Sequence, residues 1–133
     1  MKEDMVHFRI LFRSPKYPVI VIEQDDIWPA HNIHELGAVC YNSDPIENEK
    51  NIKVIDSAGE EFWYSTQQIV LMPGFPRKKW TKKQLIDLFD NSEAAKENNI
   101  QFKKKSLSNL RVATIVSDIC AFLSHNLSLN SDG

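Results

Sequence analysis

Apolar and polar residues alternate almost strictly over residues 6–13, VHFRILFR, with Val6, Phe8, Ile10 and Phe12 on one side and His7, Arg9, Leu11 and Arg13 on the other. A period of two predicts a half-buried strand. Ser14-Pro15-Lys16 supplies a turn, because proline fixes its own φ and removes a donor from a ladder. The next run, Tyr17-Pro18-Val19-Ile20-Val21-Ile22-Glu23, is apolar without alternation. Such a strand needs cover on both faces and is expected inside the sheet. From Asn51 to Met72 the pattern is a hairpin: Ile52 and Val54 alternate with polar neighbours, Ser57-Ala58-Gly59-Glu60 supplies the turn, and Phe62-Trp63-Tyr64 restores a β-rich run. Ile69-Val70-Leu71-Met72 continues it, either as a bulged extension or as a further strand.

Between these strands Asp25-Asp26 breaks the pattern ahead of Ile27-Trp28-Pro29. Residues 30–36 read as a short helical turn that Gly37 ends, and Ala38 to Tyr41 as a short strand. Residues 42–50 have the composition of a solvated loop. The helical signals come late in the chain. Thr81 and Gln84 stand in capping-box spacing, Trp80 precedes the cap where it can staple onto Leu85, and Leu85, Ile86, Leu88 and Phe89 form one apolar face. Ile100-Gln101-Phe102 adds a short strand or pins a loop. A last helix, capped by Ser106 or Ser108, carries a wide stripe of Leu110, Ala113, Ile115, Val116, Ile119, Phe122 and Leu123. Residues from about 127 to 133 read as a frayed tail.

Strands followed by helices predict an α+β fold: an antiparallel, meander-rich sheet of about five strands with two C-terminal helices packed mainly on one face. The 133 residues, 42% hydrophobic and 26% charged, suit one domain spanning 1–133 that buries roughly two-thirds of its unfolded surface. The first residues lack the basic start and apolar run of a secretory signal, and no apolar stretch approaches the roughly 20 residues of a membrane helix. A cytoplasmic protein without a membrane association is expected. Asn126-Leu127-Ser128 then has no use as a glycosylation acceptor. Cys40 and Cys120, far apart and in no CxxC, read as buried thiols.

The net charge of −2 hides an asymmetry: residues 1–72 hold six Lys/Arg against twelve Asp/Glu, and residues 73–133 hold ten against six. Asp25-Asp26 and Glu60-Glu61 are the obvious carboxylate pairs, each where a strand meets a turn. Arg77, Lys78, Lys79, Lys82 and Lys83 form the densest basic run, and Lys103, Lys104 and Lys105 lead towards the last helix. Lys82 and Lys83 occupy a first helical turn, where the dipole favours anions, and this local inconsistency hints at use. His31-Asn32-Ile33-His34-Glu35 is not the HExxH of zinc proteases, and there is no GxxxxGK[ST], GxGxxG or GxSxG. No cofactor, metal site or catalytic residue is therefore assigned.

Consecutive strand residues point to opposite faces, so at least one ring of Phe62-Trp63-Tyr64 leaves the main core face. Two function classes follow. The first is a protein-binding module in which Asp25, Asp26, Trp28, Glu60, Glu61 and Trp63 offer carboxylates and rings to a basic partner. In size, composition and absence of motifs the chain resembles the small bacterial immunity proteins that block a cognate toxin. That resemblance lies in format alone, implies occlusion as the mechanism, and transfers no residue roles. The second class is nucleic-acid or phosphate-ligand binding through Arg77, Lys78, Lys79, Lys82, Lys83 and Lys103 to Lys105. An enzyme of unfamiliar type would have to draw on His31, His34 or Cys40.

Overall fold

The computed structural model describes residues 9–23, 26–41, 51–65, 70–74, 78–97 and 111–131. Among them run β1 (Arg9–Ile10), β2 (Val19–Glu23), β3 (Asp26–Ala30), α1 (Ile33–Tyr41), β4 (Asn51–Ile55), β5 (Glu61–Ser65), β6 (Val70–Pro73), α2 (Lys82–Asp90), α3 (Glu93–Glu97) and α4 (Val112–Ser131). The strands form one sheet in the order β1-β6-β5-β4-β2-β3. Four of the five pairings are antiparallel, whereas β1 lies parallel to β6. The α+β class therefore holds, but the sheet is mixed rather than purely antiparallel and has six strands instead of five. The helices number four among the described residues rather than two, with α1 on the other face, and α4 continues through Ser131, across most of the expected frayed tail. Alternation along a strand reveals its buried face but not its direction, so the parallel pairing left no mark in the sequence.

The sixth strand is β3, hidden in the sequence by Pro29. Proline has no N–H to give a ladder, and β3 tolerates it because it is an edge strand. Residues 38–41, expected as strand, belong to α1, which runs through Gly37 instead of stopping there. Leu36 and Val39 pack into the core from this helix, and that burial outweighs the penalty of about 1 kcal/mol for an interior glycine. The strand expected over residues 6–13 is described only from Arg9, and Phe12 turns the chain away with φ +72°. The expected features at residues 100–110 lie outside the described residues.

Cross-strand register determines which side chains share a face. Ile20 opposes Ile55, and Ile22 opposes Ile27 and Lys53; on the other face Val21 opposes Trp28 and Val54. The first face meets Leu85, Ile86 and Phe89 of α2, Ala95 of α3, and Ile115, Val116, Ile119 and Cys120 of α4. The second joins Val19, Val21, Val54, Phe62, Tyr64 and Leu71 to Leu36 of α1. β2 is thus enclosed on both sides, as its unbroken apolar run predicts, with Val19, Ile20 and Val21 fully buried.

The local signals at α2 act as expected. Thr81 Oγ1 accepts from the Gln84 N–H at 3.1 Å, and Gln84 Oε1 accepts from the Thr81 N–H at 2.9 Å. Trp80 packs against the cluster that contains Leu85. Ser92 starts α3 in a similar way, accepting from the Ala95 N–H at 3.2 Å. Because β2 is buried on both faces, Leu36→Ala and Ile119→Ala are each expected to lower unfolding free energy by about 2–5 kcal/mol in urea titrations. A negligible loss for Leu36→Ala would mean that α1 is not true cover.

Candidate functional site

The β4–β5 hairpin is built around buried Asp56. Its Oδ1 accepts from the N–H groups of Ala58 (2.9 Å) and Glu60 (3.0 Å), and its Oδ2 accepts from the Lys16 N–H at 3.1 Å. Gly59 sits at φ +84°, a conformation that suits glycine. The segment before α2 then lies along the start of β5: Trp80 N–H donates to Gly59 O at 2.7 Å, and Glu61 N–H to Lys78 O at 2.9 Å. This alignment brings two indoles to one carboxylate.

Glu61 is only 2% exposed. Its Oε2 accepts from Trp63 Nε1 at 2.6 Å, its Oε1 accepts from Trp80 Nε1 at 2.8 Å, and Lys78 Nζ stands 3.7 Å from Oε1. Burial pushes this carboxyl upwards in pKa, but the two indole donors, Lys78 and Lys53 together outweigh it and hold the group below its ordinary value. Glu61 is therefore an ionised, fully engaged acceptor that orients two tryptophans. Glu60, also buried, takes the Arg13 guanidinium, through the NH2 group and through Nε at 3.3 Å. That hydrogen bond raises the Arg13 pKa against a smaller effect of burial. Neither carboxylate of the Glu60-Glu61 pair is presented to solvent.

What reaches solvent is the ring of Trp63, 39% exposed. A Cβ added to Gly74 would stand 3.0–3.2 Å from three atoms of this ring, so glycine lets the indole lie flat on the backbone. Lys53 and Met72 flank Trp63 directly across β4 and β6. Carrying the β1–β6 register one residue past Ile10 sets Leu11 beside Met72, in accord with the Leu11 N–H bond to Leu71 O at 2.9 Å. Lys53, Trp63, Met72 and Leu11 form a row across four strands. Lys53 is exposed, while Met72 and Leu11 are half-buried. Arg9, exposed, shares this face through its pairing with Val70.

The sequence-predicted sites are divided by this geometry. Trp28 and Trp63 lie on opposite faces, since Trp28 shares a face with Val54 and Phe62, and Trp63 follows Phe62. Two strands separate them, so they do not form one patch. Asp26 belongs to β3, and Asp25 lies outside the described residues, as do Arg77, Lys103, Lys104 and Lys105. Lys78 and Lys79 are exposed beside β5, with Lys78 Nζ 5.9 Å from the centre of the Trp80 ring. Lys83 pairs with Asp87 at 3.1 Å, one turn on, and Lys82 is half-buried in the same first turn.

The histidine pentad serves to start α1. Asn32 Oδ1 accepts from the Glu35 N–H at 2.9 Å, while Glu35 Oε1 accepts from the His31 N–H at 2.8 Å and lies 3.0 Å from His31 Nδ1. The His31 backbone N–H, followed by its ring, lowers the Glu35 pKa. Ser124 Oγ lies 3.5 Å from His31 Nε2, beyond a well-made hydrogen bond, and His31 and Glu35 stand in the open. Cys120 donates to Val19 O at 3.2 Å, and burial pushes its thiol up to about 12, which keeps it protonated and unreactive. The Cys40 side chain lies outside the described set. Among the described residues no group of three or more His, Cys, Asp and Glu is placed to hold a metal, and no helix is long and apolar enough to cross a membrane.

An open cleft of about 670 Å³ lies where Ile22 and Ile27 meet Trp80, Leu88 and Asn91. Its rim mixes Asp87 and Glu93 with Lys96, so it selects no charge class. No family model matches this chain, and no curated protein or solved structure matches it either. The geometry alone therefore supports a functional reading.

The lowered Glu61 pKa has a measurable sign. Ionised Glu61 favours the folded state, a contribution complete above the group's ordinary value of 4.5 and lost as pH falls through the lowered one. Glu61→Gln is expected to cost about 1–3 kcal/mol at neutral pH, because an amide N–H₂ then faces an indole donor. The variant should also flatten the decline in urea stability below pH 4.5 relative to the parent. Parallel pH profiles would remove Glu61 from its role.

Proposed function

We propose that this chain is a protein-binding module whose contact surface is the row Lys53, Trp63, Met72 and Leu11. The observation that carries the reading is a half-exposed tryptophan clamped by Glu61 and Gly74 beside partly exposed apolar neighbours. Large rings with apolar neighbours and a polar rim are the usual anchors of protein interfaces, and a ring held in place loses little entropy on docking. Occlusion, the mechanism implied by the resemblance to immunity proteins, needs only such a face and no chemistry.

The sign of the partner is the reverse of the sequence-based expectation. Glu60 and Glu61 are satisfied internally, while Arg9, Lys53, Lys78 and Lys79 are exposed near the row. A partner with an acidic rim complements this surface. The same lysines favour nucleic acid as the second reading, but Met72 and Leu11 offer apolar area, which suits a protein better than a phosphate backbone.

Affinity capture of the tagged chain from its source cells, followed by titration of the retained partner, tests the proposal. Trp63→Ala is expected to weaken binding about 30-fold, the equivalent of about 2 kcal/mol. Lys53→Gln, a neutral change at an exposed position, should weaken it and reduce its dependence on salt, and Trp28→Ala should leave it nearly unchanged. Equal affinity for the parent and Trp63→Ala would sink the reading, and capture of nucleic acid alone at low salt would transfer it to the lysine-rich segment.

A further inference from the structure

Phe12 is 87% exposed and its φ is +72°. The Arg13 N–H donates to Leu11 O at 2.9 Å across it, so Phe12 is the centre of a three-residue turn of the strained, positive-φ kind. For a bulky L-residue this backbone is a genuine outlier. Glycine would adopt it more readily, and the ring buries almost nothing in return. Folding alone does not explain a phenylalanine here.

The turn is nonetheless held firmly at both ends. On one side the Leu11 N–H is bonded to Leu71 O of β6. On the other, Arg13 is locked to the buried carboxylate of Glu60. Three residues on, Lys16 is tied to the hairpin turn, its N–H to Asp56 Oδ2 at 3.1 Å and its carbonyl to the Ser57 N–H at 2.9 Å. Strain retained by over-determined surroundings and spent on an exposed ring is the pattern of a functional contact.

Its position agrees. Leu11 stands beside Met72, Met72 pairs with Trp63, and two strand spacings put the Leu11 backbone about 10 Å from that of Trp63. Phe12 therefore leaves the sheet at the end of the Trp63 row. The chain around it, residues 9–16, contains Arg9, Arg13 and Lys16 and no acidic residue.

We infer that Phe12 is a second anchor of the Trp63 interface, presented by a pre-formed turn to an apolar pocket in a protein partner whose rim is acidic. The inference rests on the protein-binding reading above and adds to it a residue and the chemistry of the partner's rim. Glu61 fixes the Trp63 ring and Glu60 fixes Arg13, the residue next to Phe12, so both buried glutamates serve to position the two anchor segments.

Two measurements test this. In the full chain, Phe12→Gly is expected to leave the Tm unchanged or raise it, since the ring has no folding task and glycine relieves the turn; a lowered Tm would overturn the inference without any partner in hand. Separately, p-benzoylphenylalanine at position 12 and at position 63 is photocrosslinked in the source cells and the adducts are sequenced. The expected result is the same protein from both positions, joined through a segment rich in Asp and Glu, with Phe12→Ala weakening its binding at least ten-fold. An adduct from position 63 with none from position 12 overturns the role of Phe12 and leaves the Trp63 reading standing. No adduct from either position overturns both, and an adduct to nucleic acid, or to a segment without acidic residues, overturns the partner chemistry.

Discussion

Two-sided burial of β2 is the constraint on which the rest of this structure depends. Val19, Ile20 and Val21 are successive residues that point alternately to opposite faces, and all are fully buried. A strand of this kind requires apolar cover both above and below, so α1 must pack on one face and α2, α3 and α4 on the other. α4 meets β2 and β3, and α1 meets the same pair from the opposite side. The described helices thus gather over the β2–β3 end. Their placement leaves the face of β4, β5 and β6 that carries Trp63 partly open.

At that open end the organising groups are buried carboxylates. Each of Asp56, Glu60 and Glu61 is buried and multiply hydrogen-bonded. A buried charge is tolerable only when its hydrogen bonds and counter-charges compensate for lost hydration. Here compensation also positions surface groups, since Asp56 shapes the hairpin turn, Glu60 holds Arg13, and Glu61 aligns Trp63 and Trp80. The acidic first half of the chain consequently spends part of its charge inside the fold. Among the described residues Arg9, Lys53, Lys78 and Lys79 remain exposed.

Much of this was legible in the chain itself. The hairpin over 51–65, the enclosed strand at 19–23, the capping box at Thr81 and the apolar stripe of α4 all follow from local periodicity and local hydrogen-bond chemistry, which act over a few residues. β3 and the length of α1 did not follow, because Pro29 and Gly37 are local stop signals overridden by an edge position and by the burial of Leu36. The exposure of one ring in Phe62-Trp63-Tyr64 was legible from strand geometry alone. That Trp28 would lie on the other face required the register of β2, β3, β4 and β5.

The sequence by itself determined the α+β class, the two-sided burial of β2, the buried side of β4 and which segments pair as a hairpin, since these depend on residue spacing. It did not determine the fate of Phe12, expected on an apolar side and found exposed. Tertiary structure alone decided the parallel β1–β6 pairing, the division of the helices between two faces and the fate of the glutamates. Those depend on partners far apart in the chain: Arg13 with Glu60, Trp80 with Glu61, Leu11 with Leu71. A carboxylate looks the same in sequence whether water or two indoles solvate it, and only the folded neighbourhood distinguishes an offered charge from a spent one.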